Sequence, residues 1–510
     1  MLLELQTNAT GQNLLALGLA GSLLMLFAYC IYQRFLSPLA KYPGPFWASL
    51  TDVWYAYQSA QVDLHRRLIY LHEKYGEIVR VKPNKLSIAS PEGFKVIYSA
   101  GHNFVKGEMY SPFKGKRPFD LFAEPNEQIH GQQRRLVSRA YTMDTMKSLE
   151  PYVDTTINVF LDKLEEIGSK GQTIDFAYLI QLFAFDVIGE VSFARRFGYI
   201  DAVSDSGIFA RIAAALSSGA WVGEVPWVYR LHQRLVAPCF GNLLAVTARN
   251  GALHDFTVRQ VAARQDRAAA AGDDDHAGDV LSKLLAAHRA KPALTEVDVG
   301  FMLTSNVVAG SDTTSASLSS IVYHLLRTPA ALERLLEELR EKVRSGEVDG
   351  EGVVTQAQAE RWPYLQAAIL EGMRLHPAVG GLMARVVPEE GLRFEGHFVP
   401  GGYEVGTSPW VLHRNKSIYG EDAEDFRPDR WLDEEKKHDM HRYSFVFGGG
   451  SRTCIGKNIA MLEMSKVLPT LFMHFDIRLA DPNKLPQESF MGLVGLKPFY
   501  VVIRRRNILE

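Results

Sequence analysis

Cysteine is scarce in this chain: three thiols, Cys30, Cys239 and Cys454, in 510 residues. So few and so scattered, they exclude a disulfide framework and fit a reducing compartment for the main body. Net charge is nearly absent as well. Lys+Arg 56 against Asp+Glu 58 leaves −2, without the polybasic footprint of a nucleic-acid-binding protein. No internal repeat occurs, and no Pro/Ser-rich linker follows residue 50. One stretch lacks charge altogether. Leu14–Tyr32 runs for 19 residues, close to the ~20 that a bilayer-spanning helix needs. It is too long for the ~7–15-residue core of a cleaved signal, and residues 1–13 carry Glu4 but no basic residue. Arg34 and Lys41 follow it, so the positive-inside rule puts the tail, with its Asn8–Thr10 sequon, in the lumen and the body in the cytosol.

What is present reads as one large helix-rich body. Hydrophobic residues at 47% are ample for a large core. "KYPGPFW" (Lys41–Trp47) is a stiff connector. Asp63–Gly76 has helical spacing and stops at glycine, and Glu77–Ser90 alternates like a hairpin around Pro83-Asn84. Helical character dominates to about residue 385, broken by a polar low-complexity loop at Ala268–Asp279. Strands return at Leu392–Gly406, a helix follows Cys454, and short strands near "DIRL" and "YVVIRRR" close the chain. The expected class is mainly α with small β-sheets (α+β). The expected organisation is a lumenal tail 1–13, a transmembrane anchor 14–32, a connector 33–50 and a single catalytic domain 51–510.

The longest helix is expected from a capping arrangement at Thr295–Asp298 to Arg327, where Thr328-Pro329 stops it. Its 33 residues would run roughly 50 Å. In its middle sits "AGSDTTS" (Ala309–Ser315), although Gly, Ser and Thr there weaken a helix. Something flat or bulky is expected against Ala309-Gly310, with the oxygens of Asp312 and Thr313 serving chemistry.

Cys454 admits four readings: zinc ligand, nucleophile, inert thiol or axial ligand to haem iron. No zinc co-ligand lies nearby, while a nucleophile's partners can be remote, so spacing leaves that reading open. The surroundings in "FGGGSRTCIG" (Phe447–Gly456) speak against an inert thiol. Glycines let backbone pass close to a planar partner, and Arg452 supplies a cation. The apolar-periodic Ile455–Leu468 sets the sulfur at a helix N-terminus, which favours thiolate. A haem-bound thiolate accounts for all of these together.

Phe447, Gly450, Arg452, Cys454 and Gly456 match the F-x-x-G-x-R-x-C-x-G haem signature, and the chain resembles the cytochrome P-450 monooxygenases over nearly its whole length. It looks most like microsomal, filamentous-fungal members of the pisatin-demethylase-like group. "AGSDTT" is similar to the oxygen-activation motif, which implies an Asp312–Thr313 acid–alcohol pair. "EGMR" (Glu371–Arg374) resembles E-x-x-R, and "FRPDRW" (Phe426–Trp431) resembles F-x-P-x-R-F with Trp431 in place of the last Phe. Together they imply a buried Glu371–Arg374–Arg430 network under the haem. "HGQQRR" resembles W-x-x-x-R, which implies that His130 and Arg134, with Arg385 and Arg452, meet the propionates of haem b.

The same resemblance implies C–H hydroxylation, successive oxidation or epoxidation of a lipophilic small molecule by O2, in secondary metabolism. Electrons would come from an NADPH-dependent flavoprotein reductase docked near Arg135 and Lys457, with a b-type cytochrome as a second partner. The implied location is the endoplasmic reticulum membrane, single-pass, with the catalytic domain in the cytosol. Substrate contacts are implied at Phe104–Phe122, Phe209–Trp227, "SNVV" before Ala309, "AVGGLM" after Pro377 and "FMGLVG" (Phe490–Gly495). A reductase-independent haem-thiolate isomerase or dehydratase, or a non-enzymatic haem sensor, is the alternative.

Overall fold

The protein is described here as a computed structural model covering residues 2–101, 104–115, 117–241, 243–271 and 278–509. Helices account for 61% of it and the sheets are small, so the expected α+β class holds. The chain begins with helix Leu2–Ile31, which continues through a wider turn at Tyr32–Leu36. Its stretch Leu15–Leu36 is long and apolar enough to cross a membrane, and its apolar window is not buried in the body. Helix Phe176–Phe193 passes the same test, but 89% of it is buried. It is a core helix, apolar all round because protein surrounds it.

Local signals place most of the elements. Helix Leu64–Tyr75 ends at Gly76, whose φ of +93° suits glycine. Strands β1 (Ile78–Lys82) and β2 (Lys85–Ile88) pair antiparallel across Pro83-Asn84. The long helix spans Glu296–Arg327, 32 residues, behind a complete Thr295/Asp298 capping box. Helix Ala245–Ala271 extends into the stretch read as a loop, because its alanines favour helix; residues 272–277 of that stretch lie outside the described residues.

Ten further strands complete the sheets among the described residues. They are β3 (Val105–Lys106), β4 (Ile174–Asp175), β5 (Arg385–Val386), β6 (Leu392–Phe394), β7 (His397–Val399), β8 (Glu404–Gly406), β9 (Phe475–Leu479), β10 (Glu488–Phe490), β11 (Val494–Leu496) and β12 (Tyr500–Arg505). The largest sheet has the order β1-β2-β8-β5-β3. It faces one side of a helical core in which Glu296–Arg327 packs on Phe176–Phe193, Pro363–Leu375 and Lys457–His474.

Candidate active site

The Cys454 loop is built from backbone first. A 3-10 turn at Gly450–Arg452 precedes the cysteine, and the Cys454 N–H donates to the Phe447 carbonyl at 2.8 Å. Gly448 and Gly450 have φ of +73° and +58°, and a Cβ on Gly450 would stand 2.6 Å from the Tyr98 carbonyl. These glycines therefore serve the turn and its close approach to residues 98–100. Only Gly456 faces the sulfur, with its ideal Cβ 3.9 Å from Sγ.

The helix begins at Lys457, two residues later than the periodicity implied, because Ile455-Gly456 form a turn. The amides of Gly456 and Lys457 still point at the sulfur. Burial pushes the Cys454 thiol up, and those amides with Arg134 and Lys457 offset it only in part. Yet Cys454 is solvent-accessible by surface. Both hold if the sulfur faces an interior space. A metal cation there would reverse the balance, since a coordinated thiol is deprotonated outright. Phe447 is partly buried and carries the Lys457 ammonium 5.7 Å from its ring centre.

Beside this loop lies an unusual gathering of cations. Lys106 and Arg385 are register partners across β3 and β5, and both are buried. Like charges paired across strands destabilise a sheet unless something answers them. Arg385 donates to the carbonyls of Met383 and Ala384 at 3.2 and 3.0 Å and lies 5.2 Å from the Tyr98 ring. Lys106 donates to the Phe122 carbonyl, and burial, Arg385 and Arg452 hold its pKa well below the ordinary lysine value. Arg452 bonds Glu127 through Nε at 2.7 Å, but its buried Nη1 has no partner. The buried Nδ1 of His130 has none either, and burial with Arg452, Arg134, Lys106 and Arg385 drives its pKa to about 3. Arg134 reaches the Thr453 carbonyl at 2.7 Å. His130, Arg134, Arg385 and Arg452 thus lie close to one another, and Lys106 joins them. An unpartnered Arg452 donor and a neutral His130 among mutually repelling basic groups fit a dianionic group, as the two carboxylates of a haem would be.

On the far side, the long helix diverges at its motif. Ala309 is exposed in mid-helix, whereas a Cβ on Gly310 would meet Ile188 Cδ1 at 3.1 Å. Gly310 thus allows helix Phe176–Phe193 to approach, and the expectation of a flat partner applies to Ala309 alone. The Thr313 hydroxyl donates to the Ala309 carbonyl at 2.7 Å. Asp312 turns elsewhere: Gln181 Nε2 donates to its Oδ1 at 2.7 Å, and Lys497 Nζ donates to Gln181 Oε1 at 2.9 Å. All three line a cavity of about 170 Å³ with Phe209, Leu216 and Leu493. Neither Gln181 nor Lys497 was foreseen, although Gln181 is the one polar residue in "YLIQLFAF" (Tyr178–Phe185).

Two tethers hold these parts. Tyr141 OH accepts from Asn306 of the long helix at 2.7 Å, while its carbonyl accepts from Asn458, just past Cys454, at 2.9 Å. Beneath, Glu371 accepts from Arg374 at 2.8 and 2.9 Å, from Arg430 at 2.9 Å, and from the Arg427 amide at 2.9 Å. The Trp431 indole N–H adds a fifth bond at 2.9 Å, so the departure from Phe supplies a donor. Burial pushes the Glu371 carboxyl up, but Arg374 and Arg430 outweigh it and hold it below its ordinary value. His413 carries this network onward: its Nδ1–H donates to the Arg374 carbonyl at 3.1 Å, and its Nε2 accepts the Phe445 amide at 2.8 Å.

The sequence model of the family described as Cytochrome P450 matches residues 41–503. The chain belongs to the cytochrome P450 family. Among curated relatives, this P450 is 44% identical over 476 residues to cytochrome P450 monooxygenase hepC of Aspergillus oryzae, covering 89% of this chain and 91% of the relative. It is 36% identical over 453 residues to pisatin demethylase of Fusarium vanettenii, covering 88% and 85%. Cytochrome P450 monooxygenase cicH of Emericella nidulans matches at 32% over 490 residues, covering 94% and 97%. As a P450 monooxygenase the chain is an oxidoreductase of a haem-dependent family.

Proposed function

We propose that this P450 inserts one atom of O2 into a C–H bond of a lipophilic small molecule in fungal secondary metabolism. One observation carries the reading: the Cys454 thiol, accessible by surface yet pushed up by burial, stands beside an under-satisfied cation cluster. Haem b, when bound, supplies the oxygen chemistry, with a thiolate ligand favouring O–O cleavage. Cys454 would hold the metal, and Lys106, His130, Arg134, Arg385 and Arg452 would hold the propionates. Gly450 keeps the loop's turn, Gly456 leaves room at the sulfur, and Phe447 shields it. Glu371, Arg374 and Arg430 fix the loop from below. Thr313 would pass protons from its hydroxyl, and Asp312, positioned by Gln181 and Lys497, would resupply them from the adjoining cavity. That polar chain favours a reductase-driven monooxygenase over the isomerase or sensor alternative.

Anchoring follows from Leu15–Leu36, which we read as one pass through the endoplasmic reticulum membrane. Residues 1–13 are then lumenal, 14–32 the span, 33–50 the connector and 51–510 the cytosolic catalytic domain. Electrons would come from an NADPH-dependent flavoprotein reductase, with a b-type cytochrome as an accessory donor; Arg135 and Lys457 are candidate docking charges. The decisive measurement is the spectrum of reduced protein with carbon monoxide. Thiolate ligation gives a red-shifted Soret band that Cys454→Ser loses; an unshifted band in the native protein would sink the assignment.

A further inference from the structure

The hairpin of β10 and β11 is held at its base by one carboxylate. Its register sets Glu488 opposite Leu496 and Phe490 opposite Val494, which leaves Met491–Leu493 as the tip. Glu488 accepts from Arg66 Nε and Nη2, both at 2.7 Å, and from His65 Nε2 at 2.9 Å. Both donors stand in the first turn of helix Leu64–Tyr75. A two-pronged arginine–carboxylate pair fixes direction as well as distance. Burial pushes the Glu488 carboxyl up, but His65 and Arg66 outweigh it and hold it well below its ordinary value. His65, His376 and Trp410 are buried around it, the two imidazoles edge-on to the indole with ring centres 4.4 and 5.0 Å away.

From this base the hairpin is laced along residues 62 and 376–380. The Phe490 amide donates to the Val62 carbonyl at 2.7 Å, and the Val494 amide to the Ala378 carbonyl at 2.8 Å. The Val494 carbonyl accepts from His376 Nε2 at 3.1 Å, and Leu493 bridges to Val379. A Cβ on Gly380 would fall 2.5 Å from Val494 Cγ2, so the two segments lie flush. At the tip, a Cβ on Gly492 would stand 3.1 Å from the Leu216 carbonyl of helix Ile208–Glu224.

The far end of the hairpin enters the cavity beside Asp312. Met491 and Leu493 line it with Phe209 and Leu216. Lys497, one residue beyond β11, ends the hydrogen-bonded chain through Gln181 to Asp312. Glu488 itself does not line the cavity. We propose that Glu488 is a positioning residue for specificity: by clamping the hairpin base to helix Leu64–Tyr75, it sets how far Leu493 stands into the cavity and so how bulky a ligand the site admits. This rests on the haem-bound reading above. It adds that the limit is set from a remote helix, through a carboxylate that touches no ligand.

The test uses the full-length, haem-loaded protein and the spectral shift that an imidazole nitrogen gives on binding haem iron. Two probes are titrated: imidazole, too small to reach the hairpin, and N-tritylimidazole, which carries three aryl rings. Leu493→Ala removes the obstructing side chain, and Glu488→Gln and Arg66→Met weaken the clamp. In all three the affinity for N-tritylimidazole is expected to rise by about tenfold, the scale of a small change in apolar pocket volume. The affinity for imidazole and the carbon monoxide band should stay as in the native protein. Glu488→Gln combined with Leu493→Ala should gain no more than the larger single variant, because the carboxylate acts through the leucine. Arg66→Met keeps the His65–Glu488 pair, so it decides the matter even if Glu488→Gln loses haem. An unchanged or weaker N-tritylimidazole affinity in Arg66→Met overturns the clamp, and so does an additive double variant. An equal change in imidazole affinity overturns it too, being the mark of a merely structural loss. A native protein without the red-shifted band overturns the haem-thiolate reading instead.

Discussion

Two arginine-rich regions flank the Cys454 loop, and they are completed in opposite ways. Below it, the donors of Arg374, Arg430 and Trp431 converge on Glu371, and the remaining Arg374 donors end on the carbonyls of His413, Ala423 and Asp425. Beside it, Lys106, His130, Arg385 and Arg452 crowd one another, and two of their buried nitrogens have no partner. The first region is finished by the chain itself. The second is left unfinished by the chain, which is why we propose that a bound group completes it. Burial and charge type are alike in both, so the satisfaction of donors separates scaffold from site.

Mutations should split the two regions. Glu371→Gln leaves two buried guanidiniums short of a countercharge, and we expect a loss of about 3–5 kcal/mol with no haem retained. Thermal melting and the carbon monoxide spectrum check both, and a stable, loaded variant would break the distinction. Trp431→Phe restores the commoner residue but strips one donor from a carboxylate, for which about 1.5–3 kcal/mol is expected in urea denaturation.

His413 belongs to the finished region, where burial, reinforced by Arg374, holds its pKa at about 3. An unfolded histidine titrates near ~6.5, so the unfolded chain takes up a proton that the folded chain refuses. Stability from this residue is full above about pH 6.5 and falls as pH drops toward 3, by at most about 1.4 kcal/mol per unit. Replacing His413 by Asn should flatten the urea-midpoint profile over that window. Lys106→Met should act in the reverse sense: the apoprotein gains about 1 kcal/mol by losing a buried group that its basic neighbours repel whenever it is protonated, while haem dissociates faster. Melting of apoprotein and transfer of haem to apomyoglobin measure the two arms.

Legibility in the sequence follows the same division. Glu371 and Arg374 could be read because an i,i+3 spacing puts them on one helix face, and Arg430 because "FRPDRW" resembles a familiar pattern. The capping box at Thr295 and the hairpin at Pro83 were local in the same sense. Lys106 was missed because it meets Arg385 only through the pairing of β3 with β5, 279 positions apart (385 − 106). Gln181 and Lys497 were missed likewise, since three separate elements must fold before they reach Asp312. The glycines stood out by composition, but the neighbours they admit did not, because Tyr98 beside Gly450 and Ile188 beside Gly310 arrive from remote segments.

Tyr141 has a consequence beyond holding its neighbours. One residue grips the long helix through its hydroxyl and the post-cysteine helix through its carbonyl, so the length of a phenol ring acts as a spacer between the two walls of the site. A wall-to-wall distance kept by a rigid strut does not depend on whatever lies between the walls. A group bound beside Cys454 would therefore meet walls whose separation the protein has already set.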